Sequence, residues 1–172
     1  MEKRDLYDKN KVRTGKTIFK GEPIPDGNYI IVVLTMIQNS KGEFLIQKRS
    51  KLKDGLYGAT GGHAKAGETG LEGAISEVRE EIGVDLKKDE MNFLYESRED
   101  DKQVFFELYY AKKDLDISKL KLQGEEVESV EWMDMDKIDS LVKEGKFLIN
   151  HVEEVYRTVD ILKERSDLKW KF

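Results

Sequence analysis

The stretch Gly61 to Leu86, GGHAKAGETGLEGAISEVREEIGVDL, constrains the fold most, because both ends of a helix are written into it. Thr69 followed three residues later by Glu72 forms a capping box, and Gly83 stands where a helix closes. The spacing predicts a helix from about Gly70 to Ile82. At roughly 100° per residue, Leu71, Ala74, Ile75, Val78 and Ile82 form one apolar stripe, the face to be packed on a sheet. Glu77, Glu80 and Glu81 share an adjacent arc of roughly 100°. Gly73 lies on that arc one turn earlier, where the missing side chain would let a ligand reach the backbone. Three carboxylates so placed repel one another by about 1 kcal/mol per pair in water, and by more when desolvated. Arg79 points to the other side of the stripe, beside Glu72, and is expected to pair there rather than among the acids. A hard divalent cation with oxygen ligands, keeping several waters for a phosphate to replace, suits the cluster; this describes magnesium. The competing view is a solvated acidic face.

Around this helix the chain reads as strands. NYIIVVLTMIQ and SKGEFLIQKRS are two strands joined by a turn at Asn39 to Gly42, the first apolar enough to be buried on both faces. MNFLYESRE, KQVFFELYYAK and VESVEWMDM supply later strands, Asp136 to Lys146 and Asn150 to Lys163 read as helices, and KLKDGLYGATGG reads as a loop. Strands interleaved with helices at this length predict a sheet with helices on both faces. With 172 residues, 38% of them hydrophobic, one domain over 1–172 is expected. Residues 1–28 form an N-terminal hairpin or loose arm that ends at Pro23 and Pro25, and 147–172 form a C-terminal helix and tail.

Composition removes several function classes. Thirty Lys and Arg stand against 35 Asp and Glu, so the net charge of −5 argues against nucleic acid or a membrane surface as partner and favours a small substrate. The absence of cysteine excludes disulfides, thiolate metal sites and a cysteine nucleophile. The longest apolar run, Tyr29 to Met36, is too short to span a bilayer, and MEKRDLYDKN lacks the apolar core of a secretion signal. A cytoplasmic protein, with room for a homodimer, is the expectation.

The stretch GGHAKAGETGLEGAISEVREEIGV resembles the Nudix box: Gly62, then Glu68, then Ser76-Glu77-Val78-Arg79-Glu80-Glu81-Ile82-Gly83-Val84. All of the box's fixed positions are matched except its arginine, which is Ser76 here, and with the flanking GEFLIQKRS and LYGATGG the resemblance spans Tyr29 to Trp132. It implies an α+β fold, an α/β/α sandwich with a curved mixed sheet, and hydrolysis of a diphosphate linkage in a nucleoside diphosphate derivative with magnesium or manganese. By the same resemblance Glu77, Glu80 and Glu81 are metal ligands and catalytic residues with Glu68 in support, and Gly61, Gly62 and His63 lie on the substrate side. Arg49 is added as a phosphate clamp because its planar fork matches phosphate oxygens; Lys48, its strand neighbour, must then face away.

Ser76 cannot brace the glutamates as an arginine would, so Lys48, Arg49 or Lys65 must substitute, or the site is looser. A non-catalytic ligand-binding domain is therefore the alternative. The N-terminal section, with GEPIPDGNYIIVV and GGHAKAGE, is similar to the branch that includes type I isopentenyl diphosphate isomerases. Gly61 occupies the position of their cysteine and Ile30 that of a histidine, which removes the proton donor. Glu125, Glu126 and Glu107 are candidates for a late carboxylate. Tyr57, Phe105, Tyr109 and Trp132 are read as core rather than base-stacking residues, and His151 as solvent-facing or capping the last helix.

Overall fold

The computed structural model describes residues 1–170, so residues 171 and 172 at the end of the expected C-terminal tail lie outside the described residues. The N-terminal section is a hairpin of β1 (Lys3–Tyr7) and β2 (Arg13–Phe19), attached to the body where Tyr7 bridges Tyr29. The body is a mixed sheet of seven strands: β3 (Ile30–Gln38), β4 (Phe44–Arg49), β5 (Tyr57–Gly58), β6 (Thr60–His63), β7 (Asn92–Glu99), β8 (Val104–Lys112) and β9 (Val127–Met133). Helix α1 (Gly70–Ile82) packs on one face, with α2 (Met135–Lys143) and α3 (Ile149–Glu164) on the other.

Strand β3 is the spine because its side chains are apolar on both faces: Val33 and Ile37 meet Ala74, Val78 and Ile82 of α1, while Leu34 and Met36 meet the layer containing Ile138 and Val155. It runs parallel to β8 from Ile30↔Val104 to Gln38↔Lys112. Its hairpin with β4 is paired only at Gln38↔Phe44, beside the turn; beyond it the two strands part. Strand β3 continues against β6, whereas β4 continues against β5 and β9. This splayed seam gives α1 a route to the opposite face of the sheet. The strands β5 and β6 were expected as loop, since glycine-rich GATGG carries no strand signal of its own; pairing to β3 and β4 orders it.

Helix α1 has the expected limits, with Thr69 and Glu72 closing the capping box and Gly83 ending it at φ 71°. Arg79 departs from expectation: it pairs with Asp85, and Lys88 takes Glu72. Helix α2 stops at Lys143, three residues short of the expected end, because Gly145 turns the chain at φ 69° and Lys146 gives its carbonyl to Tyr57 N–H. No helix among the described residues is long and apolar enough to cross a membrane.

Candidate active site

A cleft of about 440 Å³ opens at the seam between β3 and β4. At one end it is walled by Glu77, Glu80 and Glu81, which α1 presents together as the spacing requires. Glu81 is 7% exposed, accepts a hydrogen bond from Gln47 Nε2 at 3.0 Å and another from Gly61 N–H. Burial, followed by the nearby charges of Glu77 and Glu126, pushes its carboxyl up to about 8. Glu77 accepts from His63 N–H at 3.2 Å, and burial and Glu80 raise it to about 7. A buried and a half-buried carboxylate thus stand together, each holding a proton far more tightly than an exposed glutamate.

Gly62 leaves the room that Glu77 fills, since a Cβ there would lie 2.7 Å from Glu77 Oε2. Gly73 does not offer its backbone to a ligand as expected: a Cβ would come within 2.8 Å of Ala64 Cα, so the glycine lets the loop before α1 pack on the helix. A Cβ at Gly61 would fall well inside van der Waals contact distance of the Val33 carbonyl oxygen, which leaves this backbone no space for the isomerases' cysteine.

Among the three cations expected to replace the box's arginine, Lys65 ion-pairs with Glu80, whereas Lys48 pairs with Glu128 and Arg49 with Asp54. Glu68 accepts from Lys65 N–H at 2.9 Å and from Ser76 Oγ at 2.8 Å, tying the loop to the helix. Because the ammonium of Lys65 already lies where a guanidinium from position 76 would reach, Ser76→Arg is expected to crowd Glu80 and lower turnover. Lys65→Met should lower it too, and the double variant should recover part of the loss. Steady-state rates of the three variants check this.

Of the late carboxylates, Glu126 lines the cleft and pairs with Lys53 at 2.9 Å. Glu107 is buried elsewhere, against Gly70 at the start of α1, paired with Lys11 at 2.6 Å. Glu125 is exposed and only its carbonyl is used, by Ser50 Oγ. Phe105 and Tyr109 are core, Tyr57 and Trp132 pack partly buried on it, and the aromatic that lines the cleft is Phe106. His151 departs from expectation: it lines the cleft, where Ala59 N–H donates to its Nδ1 at 3.2 Å, leaving the proton on Nε2. Burial lowers it to about 4, so the ring is neutral at pH 7. Nothing around His151 in the sequence signals this; a loop from one end of the chain and a helix from the other bring it there.

The acid end has the chemistry of a hard-cation site, with carboxylate oxygens from buried Glu81 and half-buried Glu77 side by side. Among the described residues no three acidic or histidine side chains are yet drawn close enough to enclose an ion; Glu80 is turned to Lys65.

The family model for the NUDIX domain matches residues 28–153. The chain is 35% identical over 154 residues to an uncharacterised Nudix hydrolase of Listeria monocytogenes, covering 86% of this chain and 89% of that one. Among solved structures, a Deinococcus radiodurans protein superposes with TM-score 0.68 at 22% identity, covering 85% of this chain and 91% of the other. The NUDIX domain of Shewanella oneidensis NrtR, complexed with ADP-ribose, superposes with TM-score 0.62 at 16% identity, covering 78% and 88%.

Proposed function

The chain belongs to the Nudix hydrolase family and is a pyrophosphohydrolase by class, and from that premise we propose that it cleaves the diphosphate linkage of a small nucleoside diphosphate derivative with magnesium or manganese held by Glu77, Glu80 and Glu81. The observation that carries this is the pair of carboxylates at the acid end of the cleft, Glu81 buried and Glu77 half-buried, whose proton affinities are raised to about 8 and about 7. Such a pair is costly unless a cation joins it. A bound divalent ion would offset charge on the phosphate oxygens and make water a stronger acid.

The chain's own groups divide the remaining work. Gln47 fixes Glu81 from across the seam, its Oε1 in turn accepting from Thr60 Oγ1 at 3.2 Å. Lys65 offsets the charge of Glu80. Arg49, held by Asp54, and the Nε2–H of neutral His151 supply donors to the cleft. Val32, Leu34, Ala59 and Phe106 give it an apolar wall for the organic part of a ligand. The ADP-ribose in the Shewanella oneidensis domain supports a ligand of this size and chemistry. Ser76 favours a non-catalytic binding domain; retention of Glu68, Glu77, Glu80 and Glu81 favours an enzyme, and Lys65 on Glu80 removes the need for the arginine.

A panel of dinucleotides, nucleotide sugars and nucleoside triphosphates, assayed with magnesium or manganese and then with EDTA, tests the proposal. Release of a phosphate-containing product that EDTA abolishes is expected. Tight binding of one member without turnover would replace the hydrolase with a binding domain.

A further inference from the structure

The side chain of Arg4 comes from β1, outside the segment the family model matches, and lies in the cleft. It is 9% exposed, and its Nε is buried without a hydrogen-bond partner. It forms a long ion pair with Glu2 Oε1 at 3.5 Å that does not meet hydrogen-bond geometry. Burying a guanidinium donor without a hydrogen bond is expensive, and the side chain that carries it lines a cleft a ligand can fill. Lys20, just past β2, lines the same space, fixed next to Glu2 by Lys20 N–H donating to the Glu2 carbonyl at 2.9 Å.

The hairpin is docked, so these cations are placed rather than trailing. Ala66 N–H donates to the Lys3 carbonyl at 2.8 Å, Gly67 N–H to Asp5 Oδ2 at 2.8 Å, and Arg13 Nη2 to the Glu68 carbonyl at 2.7 Å. Lys3 and Asp5 flank Arg4, and alternation along the strand turns Arg4 away from them, into the cleft. His63 lines the same cleft, its backbone N–H donating to Glu77 at 3.2 Å. The other cations of the cleft lie nearer a carboxylate than Arg4 does: Arg49 is 3.3 Å from Asp54, Lys53 2.9 Å from Glu126 and Lys102 2.6 Å from Glu99.

We propose that Arg4 and Lys20, carried into the cleft by the N-terminal hairpin, bind a phosphate of the substrate that the carboxylate end does not hold. This rests on the hydrolase function above and names the groups that hold the second phosphoryl of the diphosphate, one phosphoryl lying at the glutamates and the next at the hairpin. The guanidinium fork matches phosphate oxygens, and a second cation adds charge without needing fixed geometry.

Calorimetry with inorganic pyrophosphate in EDTA, on the full chain and on Arg4→Gln and Lys20→Met, tests the phosphate site apart from catalysis. The unaltered chain is expected to bind, and each variant to bind about tenfold more weakly. In metal-supported hydrolysis of the best panel substrate, KM should rise about tenfold with kcat within about twofold, and Arg4→Lys should recover part of the affinity. Lys20 is exposed, so Lys20→Met decides the matter should Arg4→Gln fail to fold. Unaltered affinity and KM in a folded variant, a fall in kcat at constant KM, or no pyrophosphate binding by the unaltered chain would each overturn the proposal. Pyrophosphate binding that the variants lose, in a chain that hydrolyses nothing on the panel, would leave the phosphate site standing and remove the hydrolase.

Discussion

Glu81→Gln is expected to lower metal-supported turnover by roughly 10²- to 10⁴-fold while making the metal-free protein more stable at pH 8. The first effect follows from removing a charged ligand at the buried end of the cleft. The second follows from linkage. The Glu81 carboxyl is raised from 4.5 to about 8 on folding, so both states are protonated below pH 4.5 and the folded state alone keeps the proton above it. The stability this confers is complete below 4.5 and is lost as pH rises through about 8. Glutamine cannot ionise, and its amide oxygen can still accept from Gln47. The variant should therefore escape the loss, on the order of a few kcal/mol, seen as a Tm higher than that of the parent by about 5–10 °C at pH 8 but not at pH 5. Adding manganese should raise the parent's Tm and leave the variant's nearly unmoved. A variant less stable than the parent at both pH values in EDTA, with unchanged metal affinity, would make Glu81 a structural residue.

Gly61→Ala and Gly62→Ala are expected to fail in different ways although the residues are adjacent. At position 61 a Cβ meets the carbonyl of Val33 and comes within 3.2 Å of Leu34 Cα, both backbone of the central strand. Neither can yield without disturbing the pairing of β3 with β6 and β8. A loss of about 3 kcal/mol, or some 6–12 °C in Tm, is expected. At position 62 the obstacle is only the carboxylate of Glu77, a side chain that can turn aside. Gly62→Ala should keep its Tm within about 2 °C and lose metal affinity and turnover. Thermal melts and metal titrations of both variants check the contrast; equal loss of stability in the two would refute the role given to Gly62 as space for Glu77.

What could be read from the chain divides by the range of the signal. Helix α1 was legible to its ends because a capping box, an apolar stripe and a terminal glycine are each local signals, read from residues a few positions apart. The side-by-side placement of Glu77, Glu80 and Glu81 came with it. Gln47 was not legible as a partner of Glu81, because that contact depends on β3 and β4 parting after a single pair. Strands β5 and β6 were hidden by glycine, whose value here is close approach rather than strand propensity. His151 and Arg4 were missed for a common reason. Each is an isolated polar residue far along the chain from the glutamates, and only the tertiary fold brings it to the cleft.

The parallel pairing of β3 with β8 also governs when the cleft comes into being. Ile30 must find Val104, 74 positions further along the chain, in register, a loop closure whose entropic cost falls before most of its contacts can repay it. Until then α1 can form from its own caps and stay wet, with its glutamates fully hydrated and almost indifferent to one another. Their conflict begins only after the sheet has closed and dried them. On this order of events the entropic cost of closing the sheet comes before the electrostatic cost of the acids, which act on the finished fold rather than on its first contacts.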